Sequence, residues 1–88
     1  MTTPAEITLT DVLDLTEARP LADALLGVRG QAVALDASGV ERLGALCLQV
    51  LIAARRTWAA DGSPFAIIRP SAAFSEQCAR LGAAELCR

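Results

Sequence analysis

The stretch Leu35-Asp36-Ala37-Ser38-Gly39-Val40-Glu41-Arg42-Leu43-Gly44-Ala45-Leu46-Cys47-Leu48-Gln49-Val50-Leu51 changes character twice within seventeen residues. Its start closes a short apolar run, Gln31-Ala32-Val33-Ala34-Leu35, set between Gly30 and Asp36. A run of that length between two turn signals reads as a buried strand. Asp36-Ala37-Ser38-Gly39 is turn chemistry, since Asp and Ser bond their own backbone and Gly relaxes it. Val40 to Leu43 then lead to Gly44, and the longest helical segment follows, from roughly Ala45 to Ala60. A buried strand, a tight turn and a long apolar helix in succession point to an α/β protein.

The flanks agree. Downstream, Asp61-Gly62-Ser63-Pro64 is a loop, Phe65-Ala66-Ile67-Ile68 a second buried strand, and Pro70-Ser71 opens a last helix through about Leu81, with Ser71 as its cap and Gly82 as its end. Upstream, Ile7, Leu9, Val12 and Leu13 alternate imperfectly with polar residues and predict one or two short strands. Thr16 is the expected cap of a helix in which Ala18, Leu21, Ala22 and Leu25 recur at helical spacing. Pro20 is tolerable there only near the helix start. The expected architecture is α/β, a small sheet, mixed or parallel, of about four strands with helices packed on it, in a single domain spanning residues 1–88.

Composition narrows the function. An 88-residue chain removes only roughly 60–65% of its unfolded surface from water, so one shared core is all it builds. Hydrophobic residues make up 53% of it and aromatics 3%, so that core must come from Leu, Val, Ile and Ala. Eight basic groups, all Arg, face ten acidic ones, for a net charge of −2. Nucleic-acid binding relies on clustered basic groups, and none is present. The first residues lack a basic region followed by an apolar run, so no secretion signal is expected. No apolar stretch reaches the ~18–20 residues of a membrane span. Cys47, Cys78 and Cys87 are an odd number, which fits reduced thiols in a cytoplasm. With no histidine and no closely spaced cysteine pair, neither a tetrahedral metal site nor a cofactor is expected.

The central stretch resembles STAS domains, the family of the anti-sigma-factor antagonists. Their signature is an apolar strand ending in Leu-Asp, a short turn, then Asp-Ser-Ser/Thr-Gly and a Leu-rich helix. Leu35-Asp36 and Ser38-Gly39-Val40 match its first part, and Leu48, Leu51 and Ile52 match the helix. Ala60-Asp61-Gly62 and the Pro-Ser helix start follow the family order, so the resemblance covers almost the whole chain. It implies a small mixed sheet with helices mainly on one face and a non-enzymatic role in protein–protein interaction. The departure is at Gly44-Ala45-Leu46-Cys47, where the family carries Asp-Ser-Ser-Gly. In phospho-regulated relatives a serine there takes a phosphate, whose charge of about −1.5 to −2 breaks an interface. No residue of this tetrad has a hydroxyl, so that switch is absent. The resemblance implies bacterial signalling (two-component, chemotaxis or anti-sigma pathways) through a kinase-like or signalling protein partner. Some short relatives instead resemble accessory subunits docked on the ATPase of a lipid transporter.

Physical reading of the helix supports a binding role. Between Ala45 and Ala54 Gln49 alone is polar, whereas a helix covering a sheet needs an apolar stripe on only part of its circumference. The expected partner surface therefore comprises Val40, Arg42, Gly44, Ala45, Leu46, Cys47 and Gln49. No membrane insertion is expected, and weak homodimerisation is left open. Cys47 near a helix start has exposed N–H groups that lower a thiol pKa, which leaves a distant alternative as a redox thiol. Against it stand the missing histidine partner and the packing need for a small apolar residue. Asp36 and Ser38 lie at a strand's C-terminal end, where open α/β sheets often hold ligands, but a turn capped by the Asp36 side chain itself is the favoured account of them. Trp58 either anchors an interface or covers the sheet. Arg55 and Arg56 read as a solvated outer face.

Overall fold

The computed structural model describes residues 3–87, and the Cys87 side chain lies outside what is described. Its strands are β1 (Ala5–Thr8), β2 (Val12–Leu13), β3 (Val33–Asp36), β4 (Arg42–Leu43) and β5 (Phe65–Ile68). Its α-helices are α1 (Ala18–Leu26), α2 (Ala45–Asp61) and α3 (Ala72–Arg80), with 3-10 turns at Leu15–Glu17 and Ala84–Cys87. Five strands, rather than about four, form two sheets: a three-stranded one in the order β1-β3-β5 and the pair β2-β4. All three pairings are parallel, so the sheet is not mixed. The reason is that each consecutive pair of main strands is joined through a helix, which returns the chain in the same direction.

In the main sheet Ile7, Leu35 and Ile67 stand in register, as do Ala5, Val33 and Phe65. Residues in register share a face, and this one meets the core. Leu35 and Val33 are buried, and Ile7, Phe65 and Ile67 pack against the same cluster. All three helices feed that cluster, through Leu21 and Leu25, Leu48 and Leu51, and Phe74 and Cys78. The opposite face carries Glu6, Thr8 and Ala66, all exposed. Helices on one side and solvent on the other match the expectation.

The helix before β3 is capped differently from expectation. Asp14, not Thr16, accepts: its Oδ1 takes the Thr16 N–H at 3.0 Å and the Thr16 hydroxyl at 2.6 Å. This closes a 3-10 turn ahead of α1, so Pro20 falls in the first turn of α1, where its missing N–H costs little. Helix α2 ends on Gly62 at φ 70°, in the left-handed region that favours glycine. Trp58 is buried, its indole N–H donating to Gln31 O at 2.6 Å and its ring 6.0 Å from that of Phe65. It covers the sheet and is withdrawn from any interface.

Ser71 caps α3 as expected and does more. Its Oγ accepts from Phe74 N at 3.0 Å and donates to Val40 O at 2.6 Å. Replacing Ser71 with Ala removes both bonds, and loss of an N-cap costs about 1–2 kcal/mol. Urea unfolding followed by Trp58 fluorescence should show that loss, with Ser71→Thr retaining most of the stability.

Candidate functional site

The turn after β3 is built on Asp36. Its Oδ1 accepts from Ser38 N at 2.9 Å, and its Oδ2 accepts from both Arg69 Nη2, at 3.0 Å, and Arg69 Nε, at 3.3 Å. The same guanidinium reaches Glu6 at 3.0 Å, so it ties β1 and β3 together across the open sheet face. Arg69 holds φ 49°, a left-handed conformation that disfavours side chains by roughly 1–2 kcal/mol. The Ser38 backbone and hydroxyl and then Arg69 hold the Asp36 carboxyl at about 2, below the ordinary 3.8. Asp36 is therefore committed to the turn, while Ser38 itself is exposed.

Beyond the turn the chain re-enters through β4. Asp11 O accepts from Glu41 N at 2.7 Å and from Arg42 N at 3.1 Å, and Leu13 O accepts from Gly44 N at 2.9 Å. Gly44 is the N-cap of α2 and supplies no side-chain bond to it. A Cβ at Gly44 would lie 3.1 Å from Leu13 O, so close approach of the two backbones calls for glycine there.

Of the seven residues expected at the partner surface, five are accessible: Arg42, Ala45, Leu46 and Gln49 are exposed and Gly44 is half-buried. Leu46 leaves 45% of its surface in water. Val40 and Cys47 are corrected, for both belong to the core, at 2% and 0% exposure. Val40 follows the turn into the interior, and Cys47 lies on the buried face of α2 with Leu48, Leu51, Ala54 and Trp58. Beside Gly44 opens a cleft of about 360 Å³ whose walls include Asp14, Arg42 and Gln77. Asp14 and Gln77 were missed by sequence reasoning because they lie far from the central stretch and carry no motif.

The Cys47 thiol donates to Asp14 O at 3.2 Å. Burial first, and then the negative charges of Asp14 and Glu17, raise its pKa above the ordinary 9.0. A raised pKa and a closed environment oppose thiolate chemistry, so the redox reading has nothing to stand on. Among the described residues no group of three or more His, Cys, Asp or Glu is placed to hold a metal ion. Nor is any of their helices long and apolar enough to cross a membrane.

The described chain is thus a one-sided parallel α/β fold in which a tight Asp-capped turn feeds a helix start without a side-chain cap. A family model described as "Mlab, STAS domain" matches residues 2–88, and the chain belongs to the STAS domain family. STAS domains are in general non-enzymatic modules that bind protein partners. No curated protein and no solved structure matches the chain.

Two measurements check this geometry. Asp36 is depressed in the folded state, so its contribution is complete above its unfolded value near 3.8 and is lost as pH falls toward about 2. Asp36→Asn should therefore lower the thermal midpoint at neutral pH, and its difference from the parent should shrink through that acid window. In a second measurement, a maleimide should leave Cys47 and Cys78, both buried, unlabelled under native conditions and label them in denaturant, with the sites located by mass spectrometry. Rapid native labelling of Cys47 would contradict its burial.

Proposed function

We propose that this chain is a regulatory protein–protein interaction module that is not an enzyme and acts in bacterial signalling in the cytoplasm. Its docking surface in this reading is the exposed part of β4 and the first turns of α2: Arg42, Gly44, Ala45, Leu46 and Gln49. The observation that carries it is the exposure of apolar side-chain surface at the start of α2, Leu46 above all. Exposed apolar groups rimmed by polar ones, here Arg42 and Gln49, are the ordinary anatomy of an interface. The partner is a kinase-like or signalling protein, bound without phosphorylation at the family position, because Gly44–Cys47 offers no hydroxyl. A second reading follows from the resemblance to lipid-transport accessory subunits, and it seats the same surface on a transporter ATPase. Neighbouring reading frames separate the two, by encoding either kinases and response regulators or transporter subunits.

The surface is tested with tagged chain and the variants Leu46→Asp and Gln49→Glu, each checked for an unchanged thermal midpoint. Partners captured by the parent should be lost or weakened by at least about tenfold, as expected when a central apolar contact is replaced by a desolvated charge. Folded variants that capture the same partners with parental affinity would show that the surface lies elsewhere.

A further inference from the structure

The opposite flank of α2 carries a separate feature. Ile52, Arg55 and Ala59 recur along the helix at spacings of three and four and face the turn Leu81-Gly82-Ala83 and the final 3-10 turn across a cleft of about 530 Å³. This is a different flank from the one that lines the groove toward α1, which Val50, Ala53 and Ala54 form. We propose that this cleft is a second docking site, which takes an acidic amphipathic segment of a partner protein.

Its inner wall is apolar, with Ala83 and Leu86 both 4% exposed, while Leu81 on the rim leaves 46% of its surface in water. Two guanidiniums, Arg55 and Arg56, complete the rim and are exposed. Among the described residues Arg19, Arg29 and Arg69 each engage a carboxylate, whereas Arg42, Arg55, Arg56 and Arg80 form no ion pair, and of these four Arg55 and Arg56 stand together on this rim. Among the described residues Glu85 is the acidic side chain lining the cleft, against two arginines. The local field is thus positive on a chain whose net charge is −2. Charge complementarity selects an acidic occupant, and arginine is enriched in interfaces for this use. Leu81 on the rim, with exposed Ala59 and half-buried Ile52 beside it, decides its kind, because a bare phosphate would leave them wet, while a segment carrying apolar side chains beside its carboxylates would cover them. From Ile52 to Ala59 the helix rises about 10.5 Å, or two turns, which suits a short helical or extended segment better than a broad flat surface.

The test uses a phage-displayed library of random peptides of about twelve residues, long enough for roughly three helical turns, selected against the intact chain. Enriched peptides should combine Asp or Glu with Leu, Ile or Phe. Their Kd should rise at least about tenfold, the size of one lost charge-assisted contact, in Arg55→Gln/Arg56→Gln and again in Leu81→Ser. Gln49→Glu should leave that Kd unchanged, which keeps this site distinct from the surface at the start of α2. All variants change exposed side chains, and burial of Trp58 lets fluorescence verify their fold. The proposal is overturned if no peptide is enriched, or if enriched peptides bind Arg55→Gln/Arg56→Gln as tightly as the parent. Loss of affinity in Gln49→Glu instead, or displacement by millimolar inorganic phosphate, which would mark a bare anion site, overturns it as well.

Discussion

Ala37, with no exposed surface, takes part in three main-chain hydrogen bonds: its N–H donates to Ile68 O at 3.0 Å, and its carbonyl accepts from Val40 N at 3.3 Å and Ser71 N at 3.1 Å. The Ser71 hydroxyl then fastens Val40 O. A buried backbone group left unsatisfied costs about 1–3 kcal/mol, so this turn cannot drift without breaking several bonds together. Everything downstream inherits its position. Directly after Val40 the chain meets Asp11 through Glu41 and Arg42, and after only three residues it reaches Gly44, which bonds Leu13 and caps α2. The exposed start of α2 is thus held by β5, α3 and β2 at once, and a surface fixed in advance gives up less entropy when a partner docks.

That explains what was and was not legible in the sequence. Helix α2, strands β3 and β5 and the Ser71 cap follow from local chemistry: long apolar runs, turn residues at their ends and a hydroxyl before a helix. The two-residue strands β2 and β4 carry no periodicity of their own, since two residues have none, and exist only because each completes the other. Asp14 takes the capping role expected of Thr16, because a carboxylate oxygen accepts two donors where the hydroxyl becomes one of them. Val40 and Cys47 look like surface in a linear reading of the signature. The burial of Val40 depends on how the β2–β4 pair places the segment, whereas Cys47 stands at helical spacing with Leu51, Ala54 and Trp58 and is buried with that stripe. Arg69 escaped notice because its partners Glu6 and Asp36 are 63 and 33 residues away.

The tetrad Gly44–Cys47, where the family resemblance places the phosphorylated serine, carries no hydroxyl and opens helix α2. Ala45 stands exposed in the first turn of α2, where a serine hydroxyl would be reachable by a kinase. Permanent negative charge already lies nearby, since Asp14 and Glu17 both act on the Cys47 thiol from the turn beside that helix start. Asp14 is moreover held ionised, its pKa lowered chiefly by the Thr16 hydroxyl. Gly44–Cys47 itself offers no hydroxyl on which a further charge could be placed.

The composition of α2 now has a physical account. A helix that merely covered a sheet would be apolar on one stripe and polar elsewhere. In α2 the buried stripe Cys47, Leu48, Leu51, Ala54 and Trp58 satisfies the core by itself. Val50 and Ile52 still pack against that core, while Leu46 and Ala53 on one side and Ala59 on the other are exposed and apolar beyond that need. On the first side the neighbour is α1, which closes part of the groove. On the second it is the segment 81–86, which leaves the larger cleft and has at its rim two arginines that pair with no carboxylate among the described residues. Small residues such as Ala53 and Ala59 on such flanks stabilise the core little, but they let another backbone come close. The excess apolarity is therefore better explained by contacts outside the fold than by the fold itself.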